Sequence, residues 1–155
     1  MVRSKADQLT DLILIAFRLN GVLSDWGDKF ASVDELSSAR WQVLGAVALA
    51  NQPPTAPQIA AQMGVTRQGA QKQLNLLVEG GLMESCPNPM HKRSPLYVLT
   101  QRGRDVFGSI DARWRSHTTQ TASSFRSADL EIAEKVLTAL IGAYSLTETE
   151  HKHEA

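Results

Sequence analysis

Residues 55–81 read TAPQIAAQMGVTRQGAQKQLNLLVEGG. Thr55 and Gln58 have the spacing of a capping box, in which each side chain satisfies the other residue's free backbone amide. Pro57 fits beside them because first-turn amides have no intrahelical partner. Ile59, Ala60 and Met63 give a short helix its apolar side, and Gly64 ends it. Thr66 then caps a second helix running to about Glu79, which Gly80-Gly81 closes. Two short helices hinged on one glycine, with alanine where they cross, form a helix-turn-helix pattern.

Projected at about 100° per residue, the helix from Thr66 gathers Ala70, Leu74 and Leu77 on one face. Gln68, Gln71, Lys72 and Asn75 gather on the other, with Arg67 at the N-terminal end. Amide and cationic side chains can offer paired donors and acceptors to base edges, or charge to phosphates. The N-terminal end is the part such helices push into the major groove. Glu79 shares the polar face but lies roughly 16 Å beyond Gln68 at about 1.5 Å per residue. Any exposed helix face is polar, so the stripe gains weight from being the second helix of the turn.

Working outward, Leu82 to Cys86 and Leu96 to Thr100 are strand-like. Between them, PNPMHKRSP (residues 87–95) is too long for a tight turn. Its prolines stiffen a projecting hairpin with a His91-Lys92-Arg93 tip, able to reach a minor groove whose narrow width attracts arginine. Thr100 caps a following helix that carries Val106, Phe107, Ile110 and Trp114.

On the N-terminal side, Asn51 to Pro54 is a breaker. Before it, Ser37 or Ser38 starts a helix with Trp41, Leu44, Val47 and Ala48 inward. Residues 6–30 place Leu9, Leu12, Ile13, Ala16, Leu19, Leu23, Trp26 and Phe30 at helical spacing. Ile15 and Val22 widen that stripe, as in a helix buried on more than one side, within the core or against a second chain. Gly21 and Gly27 permit another backbone to come close. At the far end, Ser127 caps a last helix whose stripe is Leu130, Ala133, Leu137, Leu140, Ile141 and Tyr144. Residues 147–155 read as a flexible polar tail.

The chain's 155 residues suit one domain with a real core, and 43% apolar content argues against disorder. No apolar run approaches the roughly 18 residues of a membrane span. The N-terminus does not read as a secretory signal, and a single cysteine, Cys86, forms neither an internal disulfide nor a multi-cysteine metal site. A cytoplasmic location is expected. The net charge is zero but unevenly spread. Residues 55–104 hold six basic groups (Arg67, Lys72, Lys92, Arg93, Arg102 and Arg104) against Glu79 and Glu84 alone, whereas both flanks are neutral to acidic. A local basic patch matters more to a polyanion than the total does.

Leu36-Ser37 with Trp41 and Leu44, Ile59-Ala60-Ala61, Val65-Thr66, Leu74 to Leu77, Glu79 to Leu82, Arg93-Ser94 and Leu99 to Gly103 occur in one order. Together they resemble the MarR-type winged-helix transcriptional regulators. The resemblance implies a mainly α fold with a small β wing. Residues 36–104 would form the DNA-binding lobe, and 6–30 with 105–146 the dimerisation helices. It implies a homodimer on a pseudo-palindromic operator, acting as a repressor relieved by a small ligand, for which an aromatic one is a candidate. The candidate DNA-contacting residues are then Thr66, Arg67, Gln68, Gln71, Lys72, Asn75, Lys92 and Arg93. The wing departs from the family pattern at one place: His91 stands where an aspartate usually pairs with the wing arginine.

Other sites carry less. Trp26, Arg40 and Trp41 could line an aromatic-acid pocket, although tryptophans at helical core spacing are more often plain core. Cys86 at a strand end reads as a structural thiol. His117 reads as a surface or interface residue, and His151 with His153 as solvated tail. No phosphate loop, nucleophile elbow or His-Glu-x-x-His motif is present, so neither an enzyme nor a cofactor is expected. The alternative is a winged-helix module for protein–protein assembly, without DNA.

Overall fold

The computed structural model describes residues 2–150, with backbone alone over 146–150. Helix α1 spans Lys5–Ala31 and opens with a capping box not read from the sequence. Ser4 Oγ accepts from the Asp7 amide at 3.1 Å, and the Ser4 amide donates to Asp7 Oδ2 at 3.2 Å. A one-turn 3₁₀ helix, Ser32–Asp34, leads to α2, Ser38–Ala48, capped by Ser37. The two helices cross at Gly27, where an added Cβ would lie 2.6 Å from Ser38 Oγ. Among the described residues nothing lies near a Cβ on Gly21, so of the two expected close approaches the one at Gly27 is found there and the one at Gly21 is not.

Helix α3, Ala56–Met63, starts at the reciprocal Thr55–Gln58 cap, with bonds of 3.0 and 3.4 Å. It ends where Gly64 turns left-handed at φ 65°, a conformation that a Cβ would penalise. Helix α4, Arg67–Glu79, starts at Thr66, whose Oγ1 accepts from the Gly69 amide at 3.0 Å. Ala70, Leu74 and Leu77 lie fully buried beside Leu44, Val43 and Ile59 in one core. Burying a side chain of the Leu or Ile kind is worth about 1.5–3 kcal/mol, so this contact fixes how α4 is rolled.

Strands β1, Met83–Cys86, and β2, Leu96–Leu99, pair antiparallel from Met83↔Leu99 to Cys86↔Leu96. Thr55 adds a bridge to Leu96, and the Tyr97 amide donates to the Pro54 carbonyl at 2.9 Å. The breaker before α3 thus ends as a stub of third strand. Helix α5, Gln101–Ala122, begins with Thr100 Oγ1 accepting from the Gly103 amide at 3.0 Å and donating to the Gly81 carbonyl at 2.7 Å. A Cβ on Gly103 would overlap the Leu82 carbonyl, so this place takes glycine alone.

The chain divides into two compact units, one up to Asp111 and the other from Ala112 onward. The core described above belongs to the first, whose last buried residue is Ile110. The second holds the end of α5 and helix α6, Ser127–Glu150. Two expectations change here. Ser127 is the first helical residue rather than the cap, and the turn before it is held by Arg126 donating to both Asp129 oxygens at 2.8 Å. That pairing raises the Arg126 guanidinium above its ordinary value. Helix α6 also continues through residues 147–150, where a flexible tail is expected; 151–155, with both tail histidines, lie outside the described residues.

Candidate nucleic-acid interface

The polar face of α4 follows from the burial of its apolar one. With Ala70, Leu74 and Leu77 inward, Arg67, Gln68, Lys72 and Asn75 are exposed, and Gln71 is half-buried. Thr66 sits at the N-terminus of the helix with its hydroxyl engaged as the cap. Its role is to start the helix, whose unpaired first amides favour a nearby anion.

Across from this end stands the wing. Asn88 Nδ2 donates to the Ser94 carbonyl at 2.9 Å, while Asn88 Oδ1 accepts from the Met90 amide at 3.0 Å. The His91 amide donates to Asn88 O and the Ser94 amide to His91 O, each at 3.2 Å. One asparagine therefore clasps both ends of the loop, and the missing aspartate is not needed to shape its backbone. Arg93 has no carboxylate partner among the described residues. Both Lys92 and Arg93 are exposed.

Helix and wing meet around a cleft of about 270 Å³ lined by Arg67, Gln68, Gln71 and Arg93, with Ala56, Pro57, Ser94 and Pro95. Half of the eight residues read from the sequence thus share one concave surface. Thr66, Lys72, Asn75 and Lys92 lie outside its lining.

The six cations of residues 55–104 separate into two groups. Arg102 donates to the Gly80 carbonyl and Arg104 to the Leu99 carbonyl, both at 2.9 Å, so they brace the joints around the wing. Arg67, Lys72, Lys92 and Arg93 make no hydrogen bond or ion pair among the described residues. These four are free to meet phosphates.

Tyr97 was not legible as part of this surface. Its buried hydroxyl accepts from Gln71 Nε2 at 3.0 Å and joins β2 to α4, and Gln71 Nε2 also donates to Asn75 Oδ1 at 2.9 Å. Periodicity marks Tyr97 only as a strand residue, since the register that brings it to Gln71 is tertiary.

Away from this surface, Trp26 stacks on Phe30 with centroids 4.8 Å apart, and Phe30 meets Trp41 at 5.2 Å. Phe30 and Trp41 pack against the core, and Arg40 Nε donates to Ser37 Oγ at 3.2 Å. Cys86 is a half-buried free thiol. The His117 ring lies 5.6 Å from that of Trp114. Among the described residues, no three His, Cys, Asp or Glu side chains group as a metal site, and no helix is long and apolar enough to cross a membrane.

Residues 35–94 match the sequence model of the MarR family. An uncharacterised protein of Mycobacterium tuberculosis is 37% identical over 138 residues, covering 89% of this chain and 95% of the relative. Among solved structures, one MarR family transcription regulator superposes with a TM-score of 0.75 at 25% identity, over 94% of this chain and 96% of the other. The transcriptional regulator MOSR of M. tuberculosis, solved with DNA, gives a TM-score of 0.72 at 19% identity over 86% and 96% of the two chains. The chain belongs to the MarR family of winged-helix transcription regulators.

Proposed function

We propose that the chain binds double-stranded DNA as a homodimer in the cytoplasm, with α4 in the major groove and the wing at the adjoining minor groove. The observation that carries this reading is the face holding Arg67, Gln68, Lys72 and Asn75, exposed on a helix whose roll the core fixes, with Arg93 facing it across one cleft. Thr66 sets the helix end against the backbone, Gln71 and Asn75 read bases, and Lys92 with Arg93 anchor the wing. Two protomers would place two such helices on the halves of a pseudo-palindromic operator.

The dimer reading draws on apolar surface left uncovered within one chain. On α1, Leu14, Ile15, Phe17 and Val22 are each more than half exposed, and on α6 so are Ile132, Ile141 and Tyr144. No residue from 112 to 145 is buried. A soluble monomer seldom leaves so many large apolar side chains uncovered.

Repression follows as occlusion of the promoter. Release by a small aromatic acid draws on the Trp26, Phe30 and Trp41 rings packed where α1 and α2 meet, with Arg40 next to Trp41 in α2 as the cation. Titration with a series of benzoates should quench tryptophan fluorescence and lower DNA affinity together.

The deciding measurement is duplex affinity against salt. Four free cations per protomer, eight in the dimer, should give a slope of log K on log salt of about −7. Association that ignores salt, or a monomer by sedimentation at micromolar concentration, overturns the reading.

A further inference from the structure

Tyr97 is 4% exposed, and its place is doubly fixed: it pairs with Ser85 in the sheet, and its amide donates to Pro54. Its hydroxyl oxygen is therefore a stationary acceptor beneath α4. Gln71 Nε2 donates to that oxygen at 3.0 Å and to Asn75 Oδ1 at 2.9 Å. A carboxamide nitrogen carries two hydrogens. Both are engaged within the chain, one by the buried Tyr97 hydroxyl and one by Asn75 at the surface, and the group Gln71 has left to offer is its carbonyl oxygen.

That changes what the residue can read. A glutamine with free amide hydrogens takes adenine by two bonds, accepting from N6 and donating to N7. An oxygen alone can only accept, and the base groups that donate in the major groove are adenine N6 and cytosine N4. Guanine and thymine present carbonyl oxygens there, so lone pairs would face lone pairs.

We propose that Tyr97 is a positioning residue for base specificity, holding Gln71 as an acceptor-only probe that takes adenine or cytosine at one operator position and rejects guanine and thymine. The inference rests on the DNA-binding reading above and adds a rule that the sequence of α4 does not contain.

Selection from a randomised double-stranded DNA library, with the wild-type protein and Tyr97→Phe in parallel, tests it. The position read by Gln71 is the one whose preference vanishes in Gln71→Ala. At that position the wild type should retain A and C within about threefold of each other and deplete G and T. Tyr97→Phe keeps the ring but frees one amide hydrogen for N7, so A should rise over C by at least about fivefold. If the phenylalanine variant fails to fold, Asn75→Ala removes the other acceptor; because Asn75 also reads a base itself, the comparison is made at the Gln71 position alone, where the same rise is expected. Unchanged preferences, or G and T tolerated by the wild type, overturn the proposal while DNA binding stands. A wild type that enriches no motif overturns both.

Discussion

Gly103 lies where the start of α5 passes the Leu82 carbonyl so closely that one methyl group would overlap it. Thr100, three residues earlier, uses its hydroxyl twice, accepting from Gly103 and donating to Gly81. The pair explains why Leu-Thr-x-x-Gly follows the wing: it is a joint between strand and helix. Gly103→Ala should destabilise the fold by about 3 kcal/mol, a fall of roughly 10 °C in a thermal melt. Lys72 is the opposite kind of residue, exposed and without a partner among the described residues. Lys72→Ala should leave the melt unchanged, weaken all duplexes alike and reduce the dimer's salt slope by about two, one per protomer. A loss confined to one sequence would instead make Lys72 a base reader.

At the scale of elements, the wing depends on Asn88 for its shape and on Arg93 for its reach. Asn88→Ala removes the bonds to Ser94 and Met90, so amides across 88–94 should exchange faster and duplex affinity should fall, with α4 unaffected. Arg93→Ala keeps the loop and removes only the cation. It should weaken binding most on duplexes with A·T-rich flanks, where a narrow groove concentrates negative potential. Equal loss on every flank would make Arg93 a plain phosphate contact. The helix-turn-helix was legible because its signals are local: a reciprocal cap, a glycine hinge, a threonine cap and an apolar stripe. The Asn88–Ser94 bond and the Thr55–Leu96 bridge were not, since the first needs the loop already folded and the second joins segments 41 positions apart.

For the whole molecule, the question is what covers the apolar faces of α1 and α6. Ile141→Asp puts a charge on an exposed position, so it should leave the single chain folded. Sedimentation should then show a monomer with much weaker operator binding. Removing the chain from Ala128 onward should have the same effect. A stable dimer after either change would move the interface elsewhere. The breadth of the α1 stripe was visible in the sequence as Ile15 and Val22, which one neighbouring helix could not cover. The last turns of α6 were misread as tail because residues 147–150 are polar, yet the helix continues through them. Polarity alone does not end a helix, since threonine and glutamate are tolerated in its backbone.

By itself the sequence determined the order of elements, the inward face of each helix, the turn between α3 and α4, and the basic middle. Those properties depend on neighbours within a few positions, where capping, glycine and apolar spacing act directly. Tertiary structure alone decided which cations are free and which brace carbonyls, where Gly27 and Gly103 are required, and how Tyr97 restrains Gln71. Apart from Arg104 with the Leu99 carbonyl five positions away, each of these joins residues ten or more positions apart, and no local pattern encodes a distance across the core.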